Sequence, residues 1–308
     1  MQLIIKVLSV VAGASLLAVV VSGANEMKPI FEIQRERNEK PKVGQRIVNG
    51  VTALPNEFPY AVEVDIIETQ LSVLGIVLLS QTYGICSGSI IGRRAILTAA
   101  HCINTNRQSI LEVLVFLEYS YRIRGGSVNV NSFTFDVTTD VAYQHENYNA
   151  KTGENDAGII VLSEAQAFKF DTPNVQPLSL ATDTSLLYDG QLITVAGYGY
   201  TSNTATATST TLQKTDLYVV STAVCQTSYT DTIPSTSFCA ESHMNSKSSI
   251  CSGDSGGPVL ALDNTVYVGV GISAFGSSKG CNLAPQGFTN TFEVYIWIDT
   301  TLSNNDLY

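Results

Sequence analysis

Apolar residues recur at every second position in short runs, and this spacing constrains the fold of the 308-residue chain more than any other feature. Tyr60-Ala-Val-Glu-Val-Asp-Ile66 alternates apolar and acidic side chains, as a strand with one face in a core does. Val266, Val268, Val270 and Ile272 repeat the alternation with Tyr267 and two glycines between them. Leu192 to Gly199 and Gly158 to Leu162 read as further short, buried strands. Helical spacing is confined to about Phe292 to Leu302, where Val294, Trp297, Ile298 and Leu302 share one side. Thr201 to Thr211 contains only Ser, Thr, Ala and Asn and reads as a loop. Many short strands and one terminal helix predict an all-β chain built as barrels or sandwiches.

The first 24 residues fit an export signal. Met1 to Lys6 gives a positively charged start, and Val7 to Val21 runs apolar apart from Gly13, Ser9 and Ser15. Ser22-Gly23-Ala24 then places small residues where a signal peptidase reads, so cleavage after Ala24 and secretion are expected. A membrane anchor is the competing reading, because this apolar run with its flanks approaches bilayer-spanning length. The small-residue exit and the charged segment behind it favour the signal, and no membrane association is expected. Residues 25–46 hold six Lys/Arg (Lys28, Arg35, Arg37, Lys40, Lys42, Arg46) and four Glu (Glu26, Glu32, Glu36, Glu39). Such a segment cannot form a core and is either a linker or a propeptide.

Composition excludes several classes. With 44% hydrophobic and 14% charged residues the chain is not a disordered polymer, a coiled coil or a collagen. A net charge of −10 gives no basic footprint for nucleic acid. Without residues 1–46 the chain keeps 17 minus 7 Lys/Arg and 27 minus 4 Asp/Glu, a net −13. Six cysteines are an even number suited to bridges in an exported chain, with 15 pairings open to sequence alone. None has the close spacing of a zinc site, so no metal is expected.

Four segments carry the chemistry. Arg46-Ile-Val-Asn-Gly50 follows the charged segment, and Leu97-Thr-Ala-Ala-His-Cys102 holds one of only three histidines. Asn155-Asp-Ala-Gly-Ile-Ile-Val-Leu162 puts an aspartate at the mouth of an apolar strand. Cys251-Ser-Gly-Asp-Ser-Gly-Gly-Pro258 sets a serine in a glycine-rich turn. Together these resemble the chymotrypsin-like (trypsin-fold) serine proteases over residues 46 to about 300. The resemblance implies two packed antiparallel β-barrels with a C-terminal helix and the active site between them. It divides the chain into a signal peptide (1–24), a propeptide (25–46) and a serine peptidase domain (47–308).

By motif position the resemblance assigns nucleophile, base and orienting carboxylate to Ser255, His101 and Asp156. A serine hydroxyl needs a base to take its proton during attack, and the imidazole returns that proton to the leaving amine. Asp136 and Asp140 compete with Asp156, but only Asp156 leads straight into an apolar strand. His145 and His243 have polar sequence neighbours and are expected at the surface. Gly253 and Ser255 are expected to offer backbone N–H groups to an oxyanion. Asp254 would be a costly buried charge if unpaired. The resemblance pairs it with a new ammonium on Ile47, freed by cutting after Arg46. It also implies the bridges Cys86–Cys102, Cys225–Cys239 and Cys251–Cys281, which leave no cysteine in residues 25–46.

Ser249 falls at the floor of the primary pocket, where trypsin-like members have an aspartate. Basic P1 specificity is therefore not expected, and cleavage after aromatic residues or Leu is. Gly276 is expected at the pocket mouth, Ala274 and Phe275 stand where serine and tryptophan are usual, and Gln286 falls at the pocket wall. An insertion between Asp65 and Cys86 carries the apolar stretch Leu71 to Leu79, expected either to extend a strand or to rim the substrate site. Because Arg46 does not suit a Ser249 pocket, activation is expected from a separate trypsin-like protease. Protein or peptide substrates and protein inhibitors are the remaining partners expected, and no cofactor is. The alternatives are a catalytically inactive homologue acting as a secreted binding protein, and an esterase with the same triad. The complete triad argues against the first, and the β-rich flanks of Ser255 against the second.

Overall fold

The computed structural model describes residues 27–29, 47–72, 76–103, 109–110, 115–205, 207–243 and 247–308. Residues 1–24 and Arg46 lie outside the described residues. In chain order the strands are β1 (Met27–Pro29), β2 (Val51–Thr52), β3 (Ala61–Ser72), β4 (Val77–Ile90) and β5 (Ala95–Thr98). Next come β6 (Ser109–Ile110), β7 (Val115–Gly125), β8 (Phe135–Thr139), β9 (Ala142–Gln144) and β10 (Gly158–Val161). The second half contains β11 (Leu192–Gly197), β12 (Gln213–Val220), helix α1 (Thr222–Gln226) and β13 (Ser237–Glu241). It ends with β14 (Pro258–Asp263), β15 (Val266–Ser277), β16 (Gln286–Asn290) and helix α2 (Tyr295–Asn304).

These strands form two antiparallel sheets, one of β3–β10 and one of β11–β16 joined by β1 and by β2, which pairs with β12. The first runs β6-β7-β3-β4-β5-β10-β9, with β8 on β7, and curls into a half-barrel. The second runs β15-β14-β11-β12-β13-β16 and closes through a further β15–β16 pairing. Closure pairs most of the ring, but β14 leaves β15 beyond Ile272, so Phe275–Ser277 keep an open edge. β1 adds to β15 there, opposing Met27 to Ser277, Lys28 to Gly276 and Pro29 to Phe275. The fold is the all-β, two-barrel architecture with a C-terminal helix.

Core packing follows the period-two pattern. Val62, Val64, Ile66, Ile96, Ile123, Ile159 and Ile160 fill the first sheet's interior, and each such side chain contributes about 1.5–3 kcal/mol by burial. Ile193, Val195, Leu217, Val259, Val270 and Phe288 fill the second. Tyr198, Leu260 and Ile272 extend the first cluster across the junction. Helix α2 begins after a turn at 291–294, so Phe292 stays outside it, while Val294, Ile298 and Leu302 pack into the first cluster. The chain end is held there too, because Leu307 donates to the Leu302 carbonyl and its own carbonyl accepts from Arg94.

Two local readings change. Glu63 and Asp65 were expected on a solvent face, yet both are buried, because Arg124 of β7 reaches them at 3.0 and 2.8 Å. His145 was expected at the surface, yet it is buried against the Trp297 ring at 4.9 Å. His243 is exposed as expected. The insertion extends β3 and β4 into a long hairpin, on which Ile76, Val77, Leu78 and Leu79 are solvent-exposed. Residues 201–205 and 207–211 form turns and bends, with isolated bridges from Thr208 to Tyr200 and from Thr211 to Asn129.

Candidate active site

The turn that carries Ser255 is fixed by glycine, with no room for a side chain. Gly256 has φ +80°, and a Cβ there would lie 2.1 Å from Thr98 Oγ1 and 2.4 Å from the Ser87 carbonyl oxygen. Its N–H donates to the Ser273 carbonyl at 2.7 Å, and the Ser255 carbonyl accepts from Ser87 N–H at 2.7 Å. Ser255 is therefore pressed against the end of β5, just before the short 3-10 turn Ala100–Cys102 that carries His101. The Cys86–Cys102 disulfide ties that turn to β4 beside Ser87. The side chain of Ser255 is fully buried, and among the described residues its Oγ makes no hydrogen bond.

Asp156 grips His101 twice. One carboxylate oxygen stands 2.7 Å from His101 Nδ1, and the other accepts the His101 backbone N–H at 2.9 Å. The aspartate is placed by its neighbours. Asn155 adopts φ +56° and takes Thr236 Oγ1 as acceptor for its N–H, while the Asp156 carbonyl accepts from Thr289 Oγ1 at 3.0 Å. Asp136 is instead engaged by Arg122 on an exposed face, and Asp140 is exposed. His101 also lies beside the Cys86 and Cys102 sulfurs, but these are joined to each other and cannot ligate a metal as thiolates.

Asp254 is enclosed with no room to spare. Added Cβ atoms on Gly197 and Gly199 would lie 2.2 and 2.5 Å from its carboxyl group. Its oxygens accept N–H groups from Gly199 at 2.8 Å and Cys251 at 2.9 Å. Burial pushes its pKa up to about 7, against the lowering effect of those two hydrogen bonds. Among the described residues no cation pairs with it. Ile47 is itself fully buried, and Val48 bridges Ser249, so the segment after Arg46 is seated on the same loop. Gly253 has φ +93°. Among the described residues neither its N–H nor that of Ser255 reaches a carbonyl, although both residues are buried. Two such donors side by side are costly unless a ligand oxygen receives them.

The residues expected in the primary pocket come together. Ser249 shares its hydroxyl proton between the carbonyls of Ile250 and Cys281. Gln286 donates Nε2–H to the same Cys281 carbonyl at 2.7 Å and to that of Ala284 at 2.8 Å. That fixes the amide orientation and leaves Gln286 Oε1 buried without a hydrogen bond, facing Gly276. Ala274 is the bulged residue between Ser273 and Phe275 on β15, and the Phe275 ring covers Gly287 and meets Tyr229 edge-on at 5.8 Å. The structure joins Cys225 to Cys239 and Cys251 to Cys281 as well.

Several supporting residues were not singled out in the sequence. Ser87 holds both the Ser255 and Gly253 carbonyls, and only its place after Cys86 could have drawn attention to it. Glu154 accepts from the N–H and hydroxyl groups of Ser235 and Thr236, pinning that loop beside Asp156. Burial pushes its carboxyl up, but these hydrogen bonds prevail and hold it below its usual range.

The trypsin family model matches residues 47–298. Trypsin I-P1 of Gallus gallus is 28% identical over 278 residues, covering 89% of this chain and 94% of that protein. Chymotrypsin of Phaedon cochleariae is 28% identical over 279 residues, covering 89% and 90%. The solved structure of HL collagenase superposes with a TM-score of 0.63 at 26% identity, covering 85% of this chain and 99% of that one.

Proposed function

The chain belongs to the trypsin family and is a serine endopeptidase, and from that premise we propose that it is an exported zymogen with Ser255, His101 and Asp156 as its triad. The grip of Asp156 on His101 carries this reading. With Nδ1–H donated to Asp156, the imidazole keeps Nε2 as the basic nitrogen for the Ser255 proton. Ser255 attacks the scissile carbonyl, and the N–H groups of Gly253 and Ser255 receive the developing oxyanion. His101 then protonates the leaving amine, and water releases the acyl group from Ser255 by the same path.

In this reading residues 1–24 are the signal, 25–46 the propeptide and 47–308 the peptidase. Among the described residues no helix is long and apolar enough to cross a membrane. Cutting after Arg46 creates an ammonium on Ile47 beside a loop already seated, and Asp254 is the buried acid that accepts it. Formation of that pair relieves an uncompensated charge and fixes the Gly253–Ser255 donors. The neutral groups Ser249 and Gln286, with Glu241 exposed at the edge of the same cavity, support a primary pocket that takes uncharged P1 side chains, aromatic or Leu. Arg46 is then cut by a separate trypsin-like protease.

Limited digestion of the purified precursor by a trypsin-like protease tests this. A new amino terminus at Ile47 should appear together with peptidase activity, and both should be absent in Arg46→Gln. Activity that precedes the cut, or survives in the variant, contradicts the zymogen.

A further inference from the structure

The pro-segment does more than carry the cleavage site. We propose that it binds its own protease across the substrate edge, with Met27–Pro29 acting as a strand-forming, peptide-like occupant of Phe275–Ser277. The proposal rests on the proposed protease function and on the resemblance that sets Ala274, Phe275 and Gly276 along the substrate site.

Three observations support it. β1 runs antiparallel to β15 with Lys28 opposite Gly276 and Pro29 opposite Phe275. An extended peptide that binds by adding a strand needs such an edge, and two peptides cannot use it together. Met27 anchors the strand. Its N–H donates to Asp231 Oδ2 at 3.0 Å, and its half-buried side chain packs on the cluster of Tyr229, Ile233, Ala274 and Phe275. Met27 also lines one pocket with Tyr148, Asp156, Ala274 and Phe275, which places it within the cleft of the candidate triad. Pro29, which has no N–H to donate, is the last residue of the strand.

Charge and tethering explain why the occupant is this segment and why it leaves. Residues 25–46 carry six cations and four anions, a net +2 against a domain of −13. Three paired residues bind weakly alone, but a short tether raises their effective concentration to about the millimolar range. Cutting after Arg46 spares β1 and removes the tether, and no cysteine in residues 25–46 holds the released piece. Release then follows dilution, so activation has two steps, cutting and departure.

Hydrogen exchange on the uncut chain (residues 25–308) tests the docking without requiring activity. Lys28→Pro removes an N–H from the middle of β1, weakening its ladder with β15, and leaves the sequence of the mature domain unaltered. Amides of Phe275–Ser277 should exchange at least about tenfold faster in Lys28→Pro than in the parent. Equal rates overturn the proposal, whether or not the cut protein hydrolyses peptides. Synthetic peptide 25–46 added to the cut enzyme should inhibit competitively against an extended peptide substrate, with a Ki in the millimolar range or below, and its Lys28→Pro form several-fold less. Non-competitive inhibition, or none at about 10 mM, also overturns it. Absence of any peptidase activity after cutting counts against the proposed function, and the exchange rates then decide the docking separately.

Discussion

His101 and Asp156 are joined at two points, Nδ1 to Oδ2 at 2.7 Å and backbone N–H to Oδ1 at 2.9 Å. One carboxylate thus sets both the tautomer of the ring and the position of the turn that carries it. Asp156→Asn should leave the fold intact and lower kcat about 10⁴-fold, the scale established for this change in such triads. Steady-state kinetics of the cut variant, with circular dichroism as the folding control, checks it.

Asp254 gives the precursor a pH signature. Its folded pKa, raised by burial to about 7, lies above the carboxylate's ordinary value near 4. The folded state therefore holds the proton more tightly than the unfolded chain does. Stability from this group is complete below about pH 4 and is lost as pH rises to about 7, up to about 4 kcal/mol. Glu63, also pushed by burial to about 7, adds to the same trend, so the informative quantity is a difference. Urea unfolding from pH 4 to 8 should show a shallower decline in uncut Asp254→Asn than in the uncut parent. The parent should recover stability on cutting, and the variant should not.

The carbonyl of Cys281 links Ser249 to Gln286, and the bonds that fix the amide leave Gln286 Oε1 as a buried acceptor. A P1 tyrosine, with a hydroxyl to donate, should be preferred over phenylalanine about fivefold in kcat/KM, equivalent to about 1 kcal/mol. Gln286→Gly should erase that ratio. P1 Lys and Arg should be cleaved poorly by both enzymes, because Ser249 at the expected pocket floor carries no charge. Matched peptide substrates differing only at P1 measure all three.

Arg124 is the counterion for two buried acids, Glu63 and Asp65. Arg124→Ala leaves both uncompensated and should destabilise the domain by about 3–5 kcal/mol. The loss should shrink at low pH, where protonation neutralises the acids. Urea midpoints at pH 5 and pH 8 provide the comparison.

The sequence showed most clearly what local chemistry dictates. The alternation at 60–66 places a strand, and the glycines around Asp254-Ser255 place a turn of close backbone approach. What stayed hidden depended on distant partners. Period two told that Glu63 and Asp65 share a face, but not that Arg124 covers it. The polar neighbours of His145 gave no sign of Trp297. Sequence spacing could not fix the register of Gln286, which the structure places at the start of β16 opposite Ala240. Strand β1 was the hardest to foresee, because three residues in a highly charged segment have no periodicity to read.

If Ser255 is the nucleophile of a peptidase, removing its hydroxyl removes nearly all turnover. The most direct measurement is kcat/KM on one peptide substrate for the parent and Ser255→Ala, both cut after Arg46 and both shown to begin at Ile47. A fall of about 10⁶-fold is expected, leaving only what the oxyanion donors and binding supply. A variant that keeps even a tenth of the parent's activity would contradict it.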